Sequence, residues 1–309
     1  YYIDEYSISN ESFDLISLMS RTCKNDFLKN MIMYIDYSMK QSEKIIYSGY
    51  YVFRAIIHTI HKEELYSIVN SFLANVSQFL KNNNYPLHLK KIVASILKAI
   101  TKKFGDKFVM HRQKFNKMMD LFLGLLDDLP NDEVLYTVLL ALNNLCKSVV
   151  WDKGDETNFL SNKMKNLCKK IFPKCFNISL YNKYCNIIQV SFLLIKTLGE
   201  RSPLDVKNYM SSVFTGLAEI FGKTLKEGEL PSIELAKIYQ EYLASTLEGF
   251  LITEMAEPNS AASLVNNVIE SFKIRALYEE GILLIGGLCR YNKANYIKIM
   301  GLIFPYIFE

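Results

Sequence analysis

The sequence predicts an all-α protein that folds as an α-α superhelix of the HEAT-repeat solenoid type, and two observations predict it. Residues 277–307 have the apolar spacing of two short amphipathic helices in succession. The same helix pair recurs upstream at intervals of about 43 to 54 residues, without the alternation typical of strands. A period of that length with two helices per unit is typical of HEAT and armadillo solenoids, in which each repeat packs on its neighbours.

Each predicted repeat consists of a helix A, expected on the outer side, and a helix B, expected on the inner side. Residues 12–22 end a first B helix, and later B helices are predicted to begin near residues 43, 86, 132, 178, 232 and 277. The predicted helices are, in chain order, 26–39, 43–60, 63–81, 86–103, 107–128, 132–149, 156–172, 178–198, 203–226, 232–252, 261–273, 277–290 and 293–308.

Three residues support the predicted boundaries. Pro86 suits the first turn of a helix, and Asn131 is a natural N-cap that two acidic residues follow. Gly199 is expected to stop a helix, because glycine is common just past a helix end. The helices follow one another without a linker, so the sequence predicts a single solenoid segment over residues 1–309, with about seven repeats.

The ends and the cysteines of the chain predict its setting. The chain begins at Tyr1 without Met and ends inside a predicted helix, which predicts an internal piece of a longer protein. The 6 cysteines fall singly in apolar helical runs, which favours reduced, buried thiols in a cytosolic or nuclear protein.

Composition argues against two classes of partner. The net charge of +4 is small for a chain in which 22% of residues are charged, so the sequence gives no case for direct nucleic-acid binding. No apolar run reaches the roughly 18 residues needed to span a bilayer, so no membrane insertion is expected.

Motifs for catalysis are missing from the sequence, which predicts neither an enzyme nor a bound cofactor. His58, His61 and Glu64 are spaced by three and could form a metal-binding face, but no fourth ligand accompanies them. Cys168 and Cys175 likewise lack a partner at zinc-site spacing, so a structural role is predicted for both groups.

The most pointed polar pattern is a row of three carboxylates spaced by seven residues on one predicted B helix, Glu234, Glu241 and Glu248. Seven residues are nearly two helical turns, so the three side chains share one stripe. The stripe has two interpretations, a solvated face and a binding surface for a basic peptide. Acidic pairs also open two other B helices, Asp132 with Glu133 and Glu279 with Glu280, where the helix dipole already explains them.

Four stretches resemble, in collinear order, the middle HEAT repeats of the importin-beta (karyopherin-beta) family: 13–35, 87–105, 131–149 and 277–307. The last of them, LYEEGILLIGGLCRYNKANYIKIMGLIFPYI, is similar to a family B helix with an acidic pair in its first turn and to the A helix that follows. The residues that fall on the family's positions are Glu279, Glu280, Lys298, Met300 and Pro305.

This resemblance implies a nuclear import receptor that works in the cytoplasm, in the nucleus and at the nuclear envelope, within the nuclear pore. It implies that the inner face binds a basic import signal or importin alpha, that Phe-Gly nucleoporins bind between outer helices, and that Ran-GTP releases the cargo. The family's inner tryptophans correspond here to Ser95 and Leu140, and only Asp4 and Glu5 lie near the place of its acidic loop. The alternative is a HEAT scaffold of another class, such as a phosphatase scaffold subunit with regular repeats of about 39 residues, or another karyopherin.

Overall fold

The computed structural model of the chain describes residues 5–41, 43–58, 66–127, 131–149, 168–173, 185–201, 207–226, 233–256, 258–274, 277–291 and 296–307. Within these ranges all regular structure is helical and no strand occurs, which confirms the predicted all-α class. The chain divides into two compact units, Tyr1–Ser148 and Val149–Glu309.

Unit 1 consists of two rows of helices. Helices that alternate along the chain pack side by side in each row, and each A-row helix packs on a neighbour in the B row. The B row is α1 (Glu5–Thr22), α3 (Glu43–Ile56), α5 (Leu87–Val109) and α7 (Asp132–Lys147). The A row is α2 (Lys24–Ser38), α4 (Tyr66–Lys81) and α6 (Arg112–Asp127).

Unit 2 repeats the two-row arrangement. Its B row is α8 (Cys185–Arg201), α10 (Ile233–Ile252) and α12 (Tyr278–Tyr291). Its A row is α9 (Lys207–Thr224), α11 (Pro258–Phe272) and α13 (Tyr296–Ile307), and residues 168–173 are also helical. Neighbouring helices within each row pack on each other, and each A-row helix packs on a B-row helix, which is the packing expected of stacked helix pairs.

Hydrogen bonds between consecutive helices of one row measure the repeat length directly. Lys103 Nζ donates to Ile57 O over 2.6 Å, and Asn144 Nδ2 donates to Lys98 O over 3.5 Å, and both pairs are 46 residues apart. In the A row of unit 2, Asn267 Nδ2 donates to Ala218 O, 49 residues earlier, over 2.9 Å. These separations lie within the predicted interval, so the helices of a row stack in the register of the repeat.

Large aromatic side chains fill the space between the rows. In unit 1, Phe53 and Phe72 are fully buried and pack edge to face at 5.7 Å between ring centroids. In unit 2, the ring of Phe250 lies 6.3 Å from Phe172 and 6.4 Å from Phe214, and all three are buried. Burial of such rings dominates the energy of a core because each removes a large apolar area from water.

Some predicted boundaries hold and others are wrong. Asn131 is the N-cap of α7, since its Oδ1 accepts from the backbone N–H of Glu133 at 3.0 Å and of Val134 at 3.2 Å. Gly199, however, does not stop a helix but lies buried inside α8, where it makes room for the ring of Phe250. Helix α5 also runs past its predicted end at residue 103, through Gly105, which packs against Ser148.

Candidate binding surface

The predicted acidic stripe lies on α10, the middle helix of the B row in unit 2. Glu241 is exposed, and Glu248, nearly two turns further along, is half-buried. Glu234 lies in the first turn of the helix but falls outside the residues whose side chains are described. The two described carboxylates therefore share one side of α10, with different surroundings.

Lys196 of α8 partly neutralises the second of these carboxylates. Its ammonium group lies 3.9 Å from Glu248 Oε2 and donates to Ser245 Oγ over 3.0 Å. The aliphatic stem of Lys196 crosses Gly249, where an added Cβ would lie only 2.9 Å from Lys196 Cγ. Among the described residues, Glu241 has no such lysine within ion-pair distance, so it carries the more available negative charge.

Tyr242, the next residue along α10, places an aromatic ring and its phenol group near the carboxylate of Glu241. Burial raises the pKa of the Tyr242 phenol, and the nearby charge of Glu241 and the thiol of Cys185 raise it further. The phenol therefore stays protonated at neutral pH beside the carboxylate. A basic ligand that approached Glu241 would thus meet a carboxylate next to an aromatic ring, which is a common environment for cations.

The acidic pair at the start of α12 is divided between solvent and protein. Glu279 is exposed, whereas Glu280 is half-buried and its Oε2 has no hydrogen-bond partner among the described residues. Gly281 follows and packs close to Phe272, since an added Cβ would lie 2.9 Å from the Cζ of that ring. Of the two acids, only Glu279 has an exposed side chain.

The acidic pair at the start of α7 takes part in contacts that stabilise the fold. Glu133 forms an ion pair with Lys91 of α5, and its backbone N–H binds the Asn131 cap. Asp132 lies beside it in the first turn, where a carboxylate favours the positive end of the helix dipole. Glu133 therefore links α7 to α5, and its paired carboxylate has less negative charge to offer a ligand than that of Glu241.

Few structural details are described for the remaining predicted site residues. Asp4 lies outside the described residues, and Glu5 begins α1 with a side chain that is not described. Ser95 and Leu140, which correspond to the tryptophans of the importin-beta family, are half-buried on α5 and α7 of the B row. Their position on B helices agrees with the register that the resemblance implies.

Of the residues considered as possible metal ligands, the structure describes only His58 and Cys168. His58 is exposed after the end of α3, and Cys168 is buried, whereas His61, Glu64 and Cys175 lie outside the described residues. In the described ranges, no three or more His, Cys, Asp or Glu side chains come together in a way that could hold a metal ion. None of the helices in those ranges is both long and apolar enough to cross a membrane.

Sequence reasoning missed Lys196, the residue that most changes the acidic stripe. The repeat length could have found it, because Lys196 and its partner Ser245 are 49 residues apart, which is one repeat. A lysine one repeat before an acidic helix lies beside that helix in a solenoid.

Comparison with known proteins supports the fold and not a particular family member. No family model matches the chain, and no curated protein matches it. Among solved structures, importin beta in an ammonium sulfate condition matches 100% of this chain with a TM-score of 0.83 at 13% sequence identity. The chain has the HEAT-repeat solenoid fold.

Two yeast structures are similar as well. Yeast importin beta (Kap95p) matches 99% of the chain with a TM-score of 0.78 at 14% identity. A structure in which Kap95p binding induces the switch loops of RanGDP to adopt the GTP-bound conformation matches 99% with a TM-score of 0.75 at 15% identity. The chain spans only 35 to 36% of the length of these three neighbours.

Proposed function

We propose that this chain is part of a nuclear import receptor of the importin-beta type, which acts as a binding protein and performs no chemistry. The observation that carries the proposal is the likeness of the whole chain to importin beta, at a TM-score of 0.83. A solenoid of this kind suits a receptor, because many weak contacts spread over repeats let it adapt to its cargo. The receptor works in the cytoplasm, in the nucleus and at the nuclear pore.

The B row of unit 2 binds the basic import signal or the basic segment of importin alpha. Exposed Glu241 and Glu279 make the first contacts, and Glu248 exchanges its partial pairing with Lys196 for a cation of the ligand. That exchange costs little, because the Lys196 and Glu248 groups are 3.9 Å apart and Ser245 keeps hold of the lysine. Glu234 and Glu280 are the other candidate contacts on this row, whereas Asp132, Glu133, Asp4 and Glu5 are candidate contacts of unit 1.

A charge reversal tests the cargo surface. We expect Glu234, Glu241 and Glu248, all changed to Lys, to weaken binding of a labelled nonalysine peptide about tenfold at low salt and less at high salt. A second variant reverses only Glu241 and Glu248, and its matched control reverses Glu219 and Glu270, two exposed acids on A-row helices α9 and α11 of the same unit. Equal affinities of the second variant and its control would remove the stripe from the mechanism.

Two further partners follow from the proposal, Ran-GTP and Phe-Gly nucleoporins. Kap95p, one of the similar proteins, binds RanGDP and changes its switch loops, which supports Ran as a partner here. A pull-down with GTP-locked Ran and with Phe-Gly peptides tests both. A HEAT scaffold of another class, such as a phosphatase scaffold subunit, would retain neither, and that result would refute the receptor proposal.

A further inference from the structure

Unit 1 carries a group of cations that the acidic stripe and its proposed function leave unexplained. Five of them lie on three consecutive B-row helices, and we call the group the basic end: Arg21 and Arg54, in the last turns of α1 and α3, and Lys98, Lys102 and Lys103, which lie six to eleven residues before the end of α5. Helix α5 as a whole contains six lysines and one acidic residue, Asp106. The register of one repeat brings the end of α3 beside this part of α5, as the bond from Lys103 to Ile57 O shows.

His58 lies near four of these five cations. It is exposed just beyond α3, and its pKa is lowered first by loss of hydration and then by the charges of Lys103, Lys102, Arg21 and Arg54, in that order. An imidazole responds to charges within a few ångströms to about one Debye length, roughly 8 to 10 Å. Four cations from three different helices therefore contribute to the electrostatic potential at His58, and Lys98 lies about one turn before Lys102 on α5.

Pairing within the chain does not cancel this positive charge. In the described ranges, no carboxylate lies within ion-pair distance of Arg21, Arg54, Lys98 or Lys102. The ends of α1 and α3 contribute roughly half a negative charge each, so they offset about one of these four positive charges. Most of the positive charge on these four residues is therefore not compensated by the described carboxylates or by the helix ends.

Aromatic side chains adjoin the basic end on the same row. The guanidinium of Arg54 lies 5.3 Å from the ring centroid of Phe13, which packs edge to face on Tyr51 at 6.0 Å. Tyr51 in turn neighbours Tyr47, and Tyr47 packs edge to face on His88 at 4.9 Å. These rings are engaged with one another and with Arg54, and they hold the arginine in place over Phe13.

We infer that the basic end binds an acidic polypeptide segment. The four B-row helices of unit 1 are spaced by about 8 to 10 Å, so a ligand crossing from α1 to Lys147 at the end of α7 spans about 25 Å, or about eight extended residues. A single-stranded nucleic acid needs open aromatic faces for base stacking, whereas Arg54 covers Phe13 and the other rings pack on each other. Carboxylates need only the cations, which the basic end supplies.

This inference does not depend on the function proposed for unit 2. The basic end binds acidic ligands, whereas the acidic stripe of unit 2 is proposed to bind basic ones. A fluorescein-labelled nonaglutamate peptide is the direct probe. We expect the chain to bind it in low salt, and Lys98→Glu with Lys102→Glu to weaken that binding about tenfold, with a smaller effect at high salt.

The matched control is Lys29→Glu with Lys117→Glu, which makes the same charge change on exposed A-row positions of unit 1. Circular dichroism melting curves establish that both variants fold. The inference is supported if only the B-row variant loses the nonaglutamate peptide. It is overturned if the unaltered chain does not bind the peptide, if both variants lose it equally, or if a nine-nucleotide thymidine oligonucleotide binds more tightly than the peptide.

Discussion

Helix α5 of unit 1 and helix α10 of unit 2 occupy the same kind of position, inside the B row of their unit, yet they differ in charge. Helix α5 carries six lysines and one aspartate, whereas α10 carries three glutamates and one lysine. The buried faces are alike, with Ile96 and Phe104 on α5 and Leu247 and Phe250 on α10 fully or almost fully buried. The repeat thus fixes which positions are apolar and leaves the charge of the exposed positions free to vary.

This difference teaches that a likeness of fold does not transfer a binding preference from one unit to the other. In unit 1 the cations are spread over three neighbouring helices, and Lys102 and Lys103 of α5 act on His58 together with Arg21 and Arg54. In α10 the carboxylates are spread along one helix, and Lys196 already lies near one of them. The two rows should therefore respond in the same direction to overpacking and in opposite directions to changes in charge.

The largest expected effect comes from Gly49→Ala in unit 1. An added Cβ at Gly49 would lie 2.6 Å from Ser38 Cβ, so α2 and α3 must move apart. We expect a loss of about 2 kcal/mol, because overpacking of up to about 3 kcal/mol exceeds the gain of about 1 kcal/mol from alanine in a helix. Urea denaturation measures the change.

Two controls separate steric overlap from a general effect of the substitution. Gly124→Ala, where no atom lies within 4 Å of the added Cβ, should leave stability unchanged or raise it. Adding Ser38→Gly to Gly49→Ala should restore most of the loss. If the double variant were as unstable as Gly49→Ala, the contact with Ser38 would not be the cause.

A smaller loss, about 1 kcal/mol, is expected for Gly199→Ala in unit 2. The added Cβ would lie 2.7 Å from Cε2 of Phe250, and a ring edge can shift further than the Cβ of a serine. Hydrogen exchange should show faster opening of α8 and α10. Gly286→Ala on α12, with nothing within 4 Å, is the control, and a similar loss there would contradict the explanation.

The helical period made most of the fold predictable from sequence. The two-helix repeat and the Asn131 cap follow from local spacing and chemistry, and the structure has both. The prediction that Gly199 stops a helix is wrong. The absence of a side chain at Gly199 leaves room for the ring of Phe250, which lies on a helix one repeat away. Local sequence rules cannot separate a glycine that ends a helix from one that lets two helices meet.

The candidate surfaces were less predictable, for a related reason. The spacing of Glu241 and Glu248 is visible within one helix, but Lys196 reaches them from the preceding repeat. The basic end is likewise invisible on any one helix, since Arg21 and Arg54 each look like a single cation that complements a helix end. Both features emerge only when the repeat register stacks the helices.

Replacing Lys196 with Met tests how the charges on the B row of unit 2 affect stability and ligand binding. Methionine keeps an unbranched stem over Gly249 but removes the hydrogen bond to Ser245 and the ion pair with Glu248. Since these groups are partly exposed, we expect a loss of only about 0.5 kcal/mol in urea denaturation. Binding of a nonalysine peptide should tighten about threefold, because Glu248 loses its internal cation. Weaker binding would show that Lys196 positions the carboxylate for the ligand.

The smallest expected effect is the titration of His58, and it tests whether the basic end acts as one group. Burial and the surrounding cations lower the pKa of His58 below its ordinary value of 6.5, so the folded chain binds this proton less readily than the unfolded chain does. The neutral imidazole therefore contributes its full stability above pH 6.5, and that contribution is lost as the pH falls below it. An NMR titration of the His58 ring should have its midpoint below 6.5.

Charge changes should move that midpoint in a defined direction. Lys102→Glu should raise it, because a cation that opposes protonation becomes an anion that favours it. Added salt should raise it by less, since salt screens the cations but does not restore the lost hydration. Lys29→Glu, on the A row, should leave it unmoved. A midpoint that followed Lys29 as strongly as Lys102 would mean that His58 responds to the net charge of the chain, and the comparison of the two B rows would then lose its electrostatic basis.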